Sequence, residues 1–532
     1  MKINKFLLGA FALSVGFASC SNEEPIKGDN GGATDGEKYV TVRINSVGDI
    51  GSRAATDNDD FEGPAEGSSE GNVTKENIRF YFFTADGMPF VMSQTGVNGT
   101  VNTNMVKPDA LNVSNTNGDE KTSLEAVLVL GAPEKYVGNR PAIMFCVANA
   151  TDEAAFEQFA KKRLDAIPDI EVNTPGEWSK FRMTSSTYKE GEGEGAKVIY
   201  YTDISDNVKD TKDAAMANPA NIYLERLAAK MRVKGLGEYT VMEKNEDGTL
   251  ATAQYKIRDE NGTTITALKV NLLGWEPYMT ANSCYAVKNI DKTWTNTSLF
   301  NGWNNADLHR CYWALAPGIV SPNNNTIPLY DNNKFKYGNY DGNKPTENIV
   351  YTYENTSYQP ASVTDRSTKA TAILVKAVVK LEGSDEGIDM VEWGSDYFTL
   401  EYFKAIVVEA YNADKDVTNQ ATAKDVVLKK NTGADARSNT WYATVKGDDF
   451  KRFSNISWWQ NGITSYFVNV EHLGSKYGVV RNHIYDYTFN NVVGLGVPGD
   501  DPVNPQDPKP SYLAARVHVL NWHVVSNSTI LQ

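Results

Sequence analysis

The sequence predicts an all-β protein of two sandwich domains, with one further strand at each end of the chain. Three observations carry that prediction. Short runs that alternate apolar and polar residues, or are apolar throughout, recur along the chain between Gly-, Asn- and Asp-rich turns. The length of 532 residues is too great for one ordinary domain. The ends are set off from the middle by a Gly- and Asp-rich stretch over 28–37 and by Pro498, Pro502, Pro505, Pro508 and Pro510. The expected division is a signal segment over 1–20, a prosegment with one strand over 21–53, sandwiches over 54–225 and 226–497, a Pro-rich linker over 498–511 and a terminal strand over 512–532.

The chain opens on a short basic stretch, Met1 to Lys5, followed by an apolar core over 6–17 that is too short to span a bilayer as a mature helix. Phe17-Ala18-Ser19-Cys20 then reads as a lipobox, which makes Cys20 the acylated residue and the outer membrane the destination of the precursor. Residues 39–45 alternate like a half-buried strand. Gly51-Ser52-Arg53-Ala54-Ala55 follows. A lone Arg among small residues, beside the acidic run Asp57 to Asp60, is an open target for a trypsin-like Arg protease, so cleavage is expected between Arg53 and Ala54.

Residues 78–83 read as a strand with a turn at Asp86-Gly87. Further strands are expected over 124–130 and 142–148. A helix is expected over 152–164, with Phe156, Phe159 and Leu164 along one side. The first sandwich ends near 221–227. The second offers strands over 255–257, 265–272, 372–379, 403–410 and 465–470. The prolines after 497 make a stiff spacer that cannot continue a sheet, because each lacks the N–H that a ladder needs. The strand behind them must fold back or leave for another molecule.

Chemistry is hard to find. The histidines, His309, His472, His483, His518 and His523, make no metal spacing and read as solvated or core residues. Residues 494–499 lack the Lys of a phosphate loop, and there is no GxSxG elbow. Asp57 to Asp60 breaks calcium-loop spacing at Phe61. Trp458-Trp459 reads as packing, with a carbohydrate platform as the alternative. Cys146 lies in an apolar run and is expected in the core; Cys284 and Cys311 are left either free or paired. A formal charge of −15 argues against a nucleic-acid partner. No catalytic residue, metal or cofactor is expected.

Several pieces, in this order, resemble the Bacteroidales fimbrillins, or type V pilins, and are most similar to the major subunit of the minor fimbriae. They are the lipobox, Ser52-Arg53-Ala54, Phe145 to Ala150, Glu225 to Lys230, Gly274-Trp275, 371–375, Gly478 to Tyr485 continuing to Gly494-Leu495-Gly496, and the tail from Tyr512 to Trp522. The resemblance implies two transthyretin-like sandwiches, a location in a surface fimbrium, and partners that are copies of the same chain in a head-to-tail polymer together with anchor and tip subunits. Cutting after Arg53 would free the first strand and leave unpaired sheet edges, which template a donated strand. The donor segment is expected at Tyr512, Leu513, Val517, Val519, Leu520, Trp522 and Val524. About 20 extended residues reach roughly 65–70 Å, enough to enter a neighbour. Truncation before Tyr512 is expected to leave both domains folded. The rival readings are a tip subunit of the same system, a glycan-binding surface lipoprotein and an outer-membrane hydrolase.

Overall fold

The computed structural model describes residues 38–46, 73–96, 99–108, 110–115, 122–133, 140–150, 152–172, 181–190, 195–292, 313–317, 335–341, 348–356, 370–431, 440–472, 476–499, 512–521 and 524–525. Cys20, Arg53, Ala54, Cys311 and Trp522 lie outside them. The described residues are all-β in character, with a few short helices.

The first sheet has nine strands among the described residues. They are β1 (Lys38–Ser46), β2 (Ile78–Phe83), β3 (Met105–Val106), β4 (Ala110–Asn115), β5 (Thr122–Leu130), β6 (Ile143–Ala148), β7 (Met183–Ser185), β8 (Thr202–Asp203) and β9 (Ala220–Arg226). Their order is β3-β2-β6-β7-β9-β1-β5-β4, with β8 on β6. Alternate residues of distant strands meet in one core: Val40, Val42 and Ile44 of β1, Phe80 and Phe82 of β2, Leu128 of β5, Cys146 of β6 and Ile222 of β9. The sheet therefore curls over on itself into a sandwich. Strands β2 and β6 are buried throughout, Arg79 of β2 included, because their other face is covered too, by Phe156, Phe159, Leu164 and Ile167.

That cover corrects the helix expected over 152–164. Only α1 (Glu153–Glu157) is α-helical, capped by the Asp152 side chain on the Ala155 N–H. The chain leaves helical geometry at Lys161, φ +58°, and the apolar side chains beyond it still reach the core.

The second sheet has eleven strands among the described residues. They include β10 (Ala229–Lys234), β11 (Glu238–Lys244), β12 (Leu268–Tyr278), β13 (Ile349–Thr352), β14 (Ala372–Leu381), β15 (Ile463–Asn469), β16 (His483–Val493), β17 (Val497–Pro498), β18 (Tyr512–Asn521) and β19 (Val524–Val525). The order is β13-β10-β16-β11-β12-β14-β15-β17, with β18 on β16 and β19 on β18. Strand β11 makes the corner. Glu238 to Thr240 pair with β12, and Val241 and Met242 pair with β16, so one strand passes between the two layers. Gly235, φ +80°, permits the approach to this corner, since a Cβ there would lie 2.2 Å from the Phe489 carbonyl oxygen. Trp275, Tyr466, Tyr485, Tyr487 and Phe489 fill the space between the layers.

Strands β14 and β15 pair antiparallel from Ala372↔Asn469 to Val378↔Ile463. The connection between them carries its own core of Phe398, Phe403, Val407, Phe453 and Ile456. Here the strand expected over 403–410 is overturned. The segment lies in α2 (Leu400–Asn412), with Phe403 and Val407, one helical turn apart, as its buried residues. The β-branched run Ile406-Val407-Val408 suggested a strand, but the spacing of the buried pair is helical. Pro498, expected to start the linker, instead ends the short strand β17, opposite Thr464.

Candidate functional site

The N-terminal strand is not an edge. β1 runs antiparallel to β5, from Lys38↔Leu130 to Asn45↔Ser123, and parallel to β9, from Val42↔Ala220 to Ser46↔Leu224. The alternation seen in the sequence places Val40, Val42 and Ile44 in the core, while Arg43 is exposed and faces Glu125 at 3.7 Å. Burying each of three aliphatic side chains contributes about 1.5–3 kcal/mol. Removing β1 would leave a slot with an unpaired edge on either side. Thr41 also is wholly buried, and its hydroxyl has no hydrogen-bond partner among the described residues. Such an unsatisfied group costs about 1–3 kcal/mol, so β1 fills the slot imperfectly.

The start of β1 is clipped by a segment that no sequence motif marks. Tyr39 and Lys209 exchange two backbone hydrogen bonds, 2.8 and 2.9 Å. Asp210 accepts from Lys38 and, in a two-oxygen grip at 2.8 and 2.9 Å, from Arg140. The Lys38 hydrogen bond, with Arg140 beside it, holds the Asp210 carboxyl below its ordinary range.

The terminal strand folds back onto its own chain. β18 pairs antiparallel with β16 from His483↔Asn521 to Val493↔Tyr512, and β19 returns against Val519 and Leu520. Leu513 is buried in the second core. Tyr512, Leu513, Val517, Val519 and Leu520 thus all hold ladder positions opposite β16, and Val524 pairs with Leu520. The expectation that the tail adds little to either sandwich has to be adjusted, because β18 runs along β16 over its full length.

The strand that lines the slot and the strand that holds the tail meet end to end. Beyond β9, the Ala228 carbonyl accepts from the Asn482 N–H at 2.8 Å, and the Asn482 side chain accepts from the Arg226 N–H at 3.4 Å. Asn482 adopts φ +59° to do this. Around it sit two buried ion pairs, Glu225–Lys288 at 3.1 Å and Glu354–Arg481 at 2.6 Å. Arg481 also donates to the Tyr285 carbonyl at 2.6 Å. Burial pushes the Glu225 carboxyl up against the opposing pull of Lys288 and Arg481. These residues are far apart in sequence, and only the Arg481-Asn482-His483 piece was visible, without a role.

His472 and His483 are core residues, their rings 5.1 Å apart, with His472 Nδ1 2.9 Å from the Tyr485 hydroxyl. Trp459 is buried and donates to the Leu495 carbonyl; Trp458 packs edge-on against Trp441. That is packing rather than a sugar platform. Cys146 and Cys284 are free, buried thiols. Among the described residues no cluster of His, Cys, Asp or Glu is arranged to hold a metal, and no helix is long and apolar enough to cross a membrane.

Residues 459–528 match the family described as major fimbrial subunit protein type IV, Fimbrillin, C-terminal. The match runs from the end of the strand before β15 through β18 and β19, and so takes in both β16 and the tail docked on it. Over these residues the chain is similar to the C-terminal part of a fimbrial subunit family. No curated protein matches it. Solved structures similar to it include a candidate cell adhesion protein from Parabacteroides distasonis, at 12% identity, 92% of this chain and 98% of that one, with a TM-score of 0.35. A fimbrial assembly protein from the same organism is similar at 10% identity over 92% and 98%, with a TM-score of 0.30. The tip fimbrial protein Mfa3 from Porphyromonas gingivalis, with a C-terminal truncation, is similar at 10% identity over 91% and 100%, TM-score 0.30.

Proposed function

We propose that this chain is the shaft subunit of its fimbria, exported as a lipoprotein through Cys20, activated by cleavage between Arg53 and Ala54, and polymerised by strand donation. The observation that carries this reading is the position of β1. A strand that precedes the processing site lies in the middle of a sheet, between β9 and β5, with three side chains in the core. Its loss creates an acceptor slot, which the tail of a second copy fills. Donation from head to tail need not close, so it builds filaments. Docking of β18 on β16 is then the resting position of the tail before assembly. The anchor and tip subunits are the partners at the two ends.

One observation favours a second reading. A tail held along the whole of β16 suits a subunit at the end of a fimbria that keeps its strand at home. Arg53→Ala separates the possibilities on an unboiled denaturing gel of surface extract. For a shaft subunit, the parent gives a ladder of stable multimers and the variant a single full-length acylated band. A single band from the parent would reject the shaft assignment.

A further inference from the structure

We infer that β1 is an internal copy of the donated strand, and that the tail of a second copy enters the slot in one register: Leu513 at the place of Val40, Ala514 at Thr41, Ala515 at Val42, Arg516 at Arg43 and Val517 at Ile44. This rests on the strand-donation reading above, and it fixes which residues perform it.

The two segments share a pattern. Tyr39-Val40-Thr41-Val42-Arg43-Ile44 and Tyr512-Leu513-Ala514-Ala515-Arg516-Val517 have Tyr and Arg at the same spacing, with apolar residues at each place that β1 buries in the core. Among the described side chains of β1, four hold enclosed places: Val40, Thr41, Val42 and Ile44. A strand fits only if none of the four receives a charged or strongly polar residue. Sliding the tail through the slot one residue at a time gives a single solution. One step forward puts Arg516 at Val42, two steps put it at Thr41, and three steps put it at Val40. Four steps put His518 at Thr41 and Asn521 at Ile44. One step back puts Arg516 at Ile44, and two steps put Ser511 at Val40. Five or more steps forward place His518, Asn521, His523, Ser526, Asn527 or Gln532 at an enclosed position.

In the one register that fits, the exposed place beside Glu125 receives Arg516, as it now holds Arg43. Opposite charges on facing strands favour that alignment, and like charges oppose it. The place of Thr41, whose hydroxyl is buried without a partner among the described residues, receives Ala514, which has no hydroxyl to leave unsatisfied. The donated strand therefore keeps an apolar residue at each core place, smaller at those of Val42 and Ile44, keeps the charge pair of β1 and has no hydroxyl at the place of Thr41. The prosegment strand is thereby a weaker occupant at that place than its replacement.

The test uses the full chain cleaved after Arg53. Arg516→Glu is expected to slow polymer growth by roughly fivefold or more, and adding Glu125→Arg to bring it back to within about twofold. In a second arm, polymers are assembled under reducing conditions and then oxidised. Glu125→Cys with Arg516→Cys should give subunits linked by a disulfide, and Glu125→Cys with His518→Cys should not. Unchanged growth in Arg516→Glu, or linkage through position 518 instead of 516, would overturn the register while leaving strand donation intact. Polymers from a cleaved chain that ends at 511 would instead overturn strand donation itself.

Discussion

Arg481 and Glu354 close on each other at 2.6 Å in a place that neither side chain shares with solvent. The pair lies where β9, a wall of the slot, meets the residues that begin β16, the seat of the tail. Breaking a buried pair strands a charge, which costs about 3–5 kcal/mol, whereas replacing both partners with apolar groups is often near neutral. Arg481→Met should lower stability in urea unfolding by that amount. Adding Glu354→Leu should recover much of the loss.

Thr41→Val exchanges an unsatisfied buried hydroxyl for a methyl group of similar shape. It should stabilise the uncleaved precursor by about 1–3 kcal/mol in denaturant unfolding. In the cleaved chain it should slow the loss of the prosegment strand, followed by the rate at which polymers appear.

His472 sets a pH dependence. Its ring is enclosed by His483, Trp313 and Tyr485, with the Lys288 charge acting on it, and burial holds its pKa well below the ordinary 6.5. The unfolded chain takes up a proton as pH falls past about 6.5, while the folded chain does not. The stability from a neutral His472 is thus fully present above that pH and is lost progressively below it. His472→Gln should flatten the slope of stability against pH between about 6.5 and 5, read from thermal melts.

Asp210→Asn removes the charge that Lys38 and Arg140 share. Asp210 and Arg140 are exposed, so global stability should change little. Hydrogen exchange at Tyr39, whose N–H bonds to the Lys209 carbonyl, should quicken, because the clip frays before the sheet does.

Much of this was legible in the sequence, for physical reasons. Val40, Val42 and Ile44 alternate with the polar Thr41 and Arg43 because one face of β1 lines the apolar core, although Thr41 on the other face is buried as well. The 78–83 run is apolar apart from Arg79 because β2 is covered on both faces. The α2 segment misled because Ile406, Val407 and Val408 favour strands individually, while the buried residues follow helical spacing. The junction of Glu225, Lys288, Glu354 and Arg481 could not be read, since no local pattern announces an ion pair between residues so distant in sequence. The clip of Asp210 on Lys38 was hidden for the same reason.

Strand donation is tested most directly by mixing two half-competent subunits. One is cleaved after Arg53 and ends at 511, so it has a slot and no donor. The other carries Arg53→Ala, so it has a donor and a filled slot. Native mass spectrometry of the mixture should show a one-to-one heterodimer and nothing larger, with each subunit monomeric on its own. Self-association of the tailless subunit, or no heterodimer in the mixture, would contradict the account.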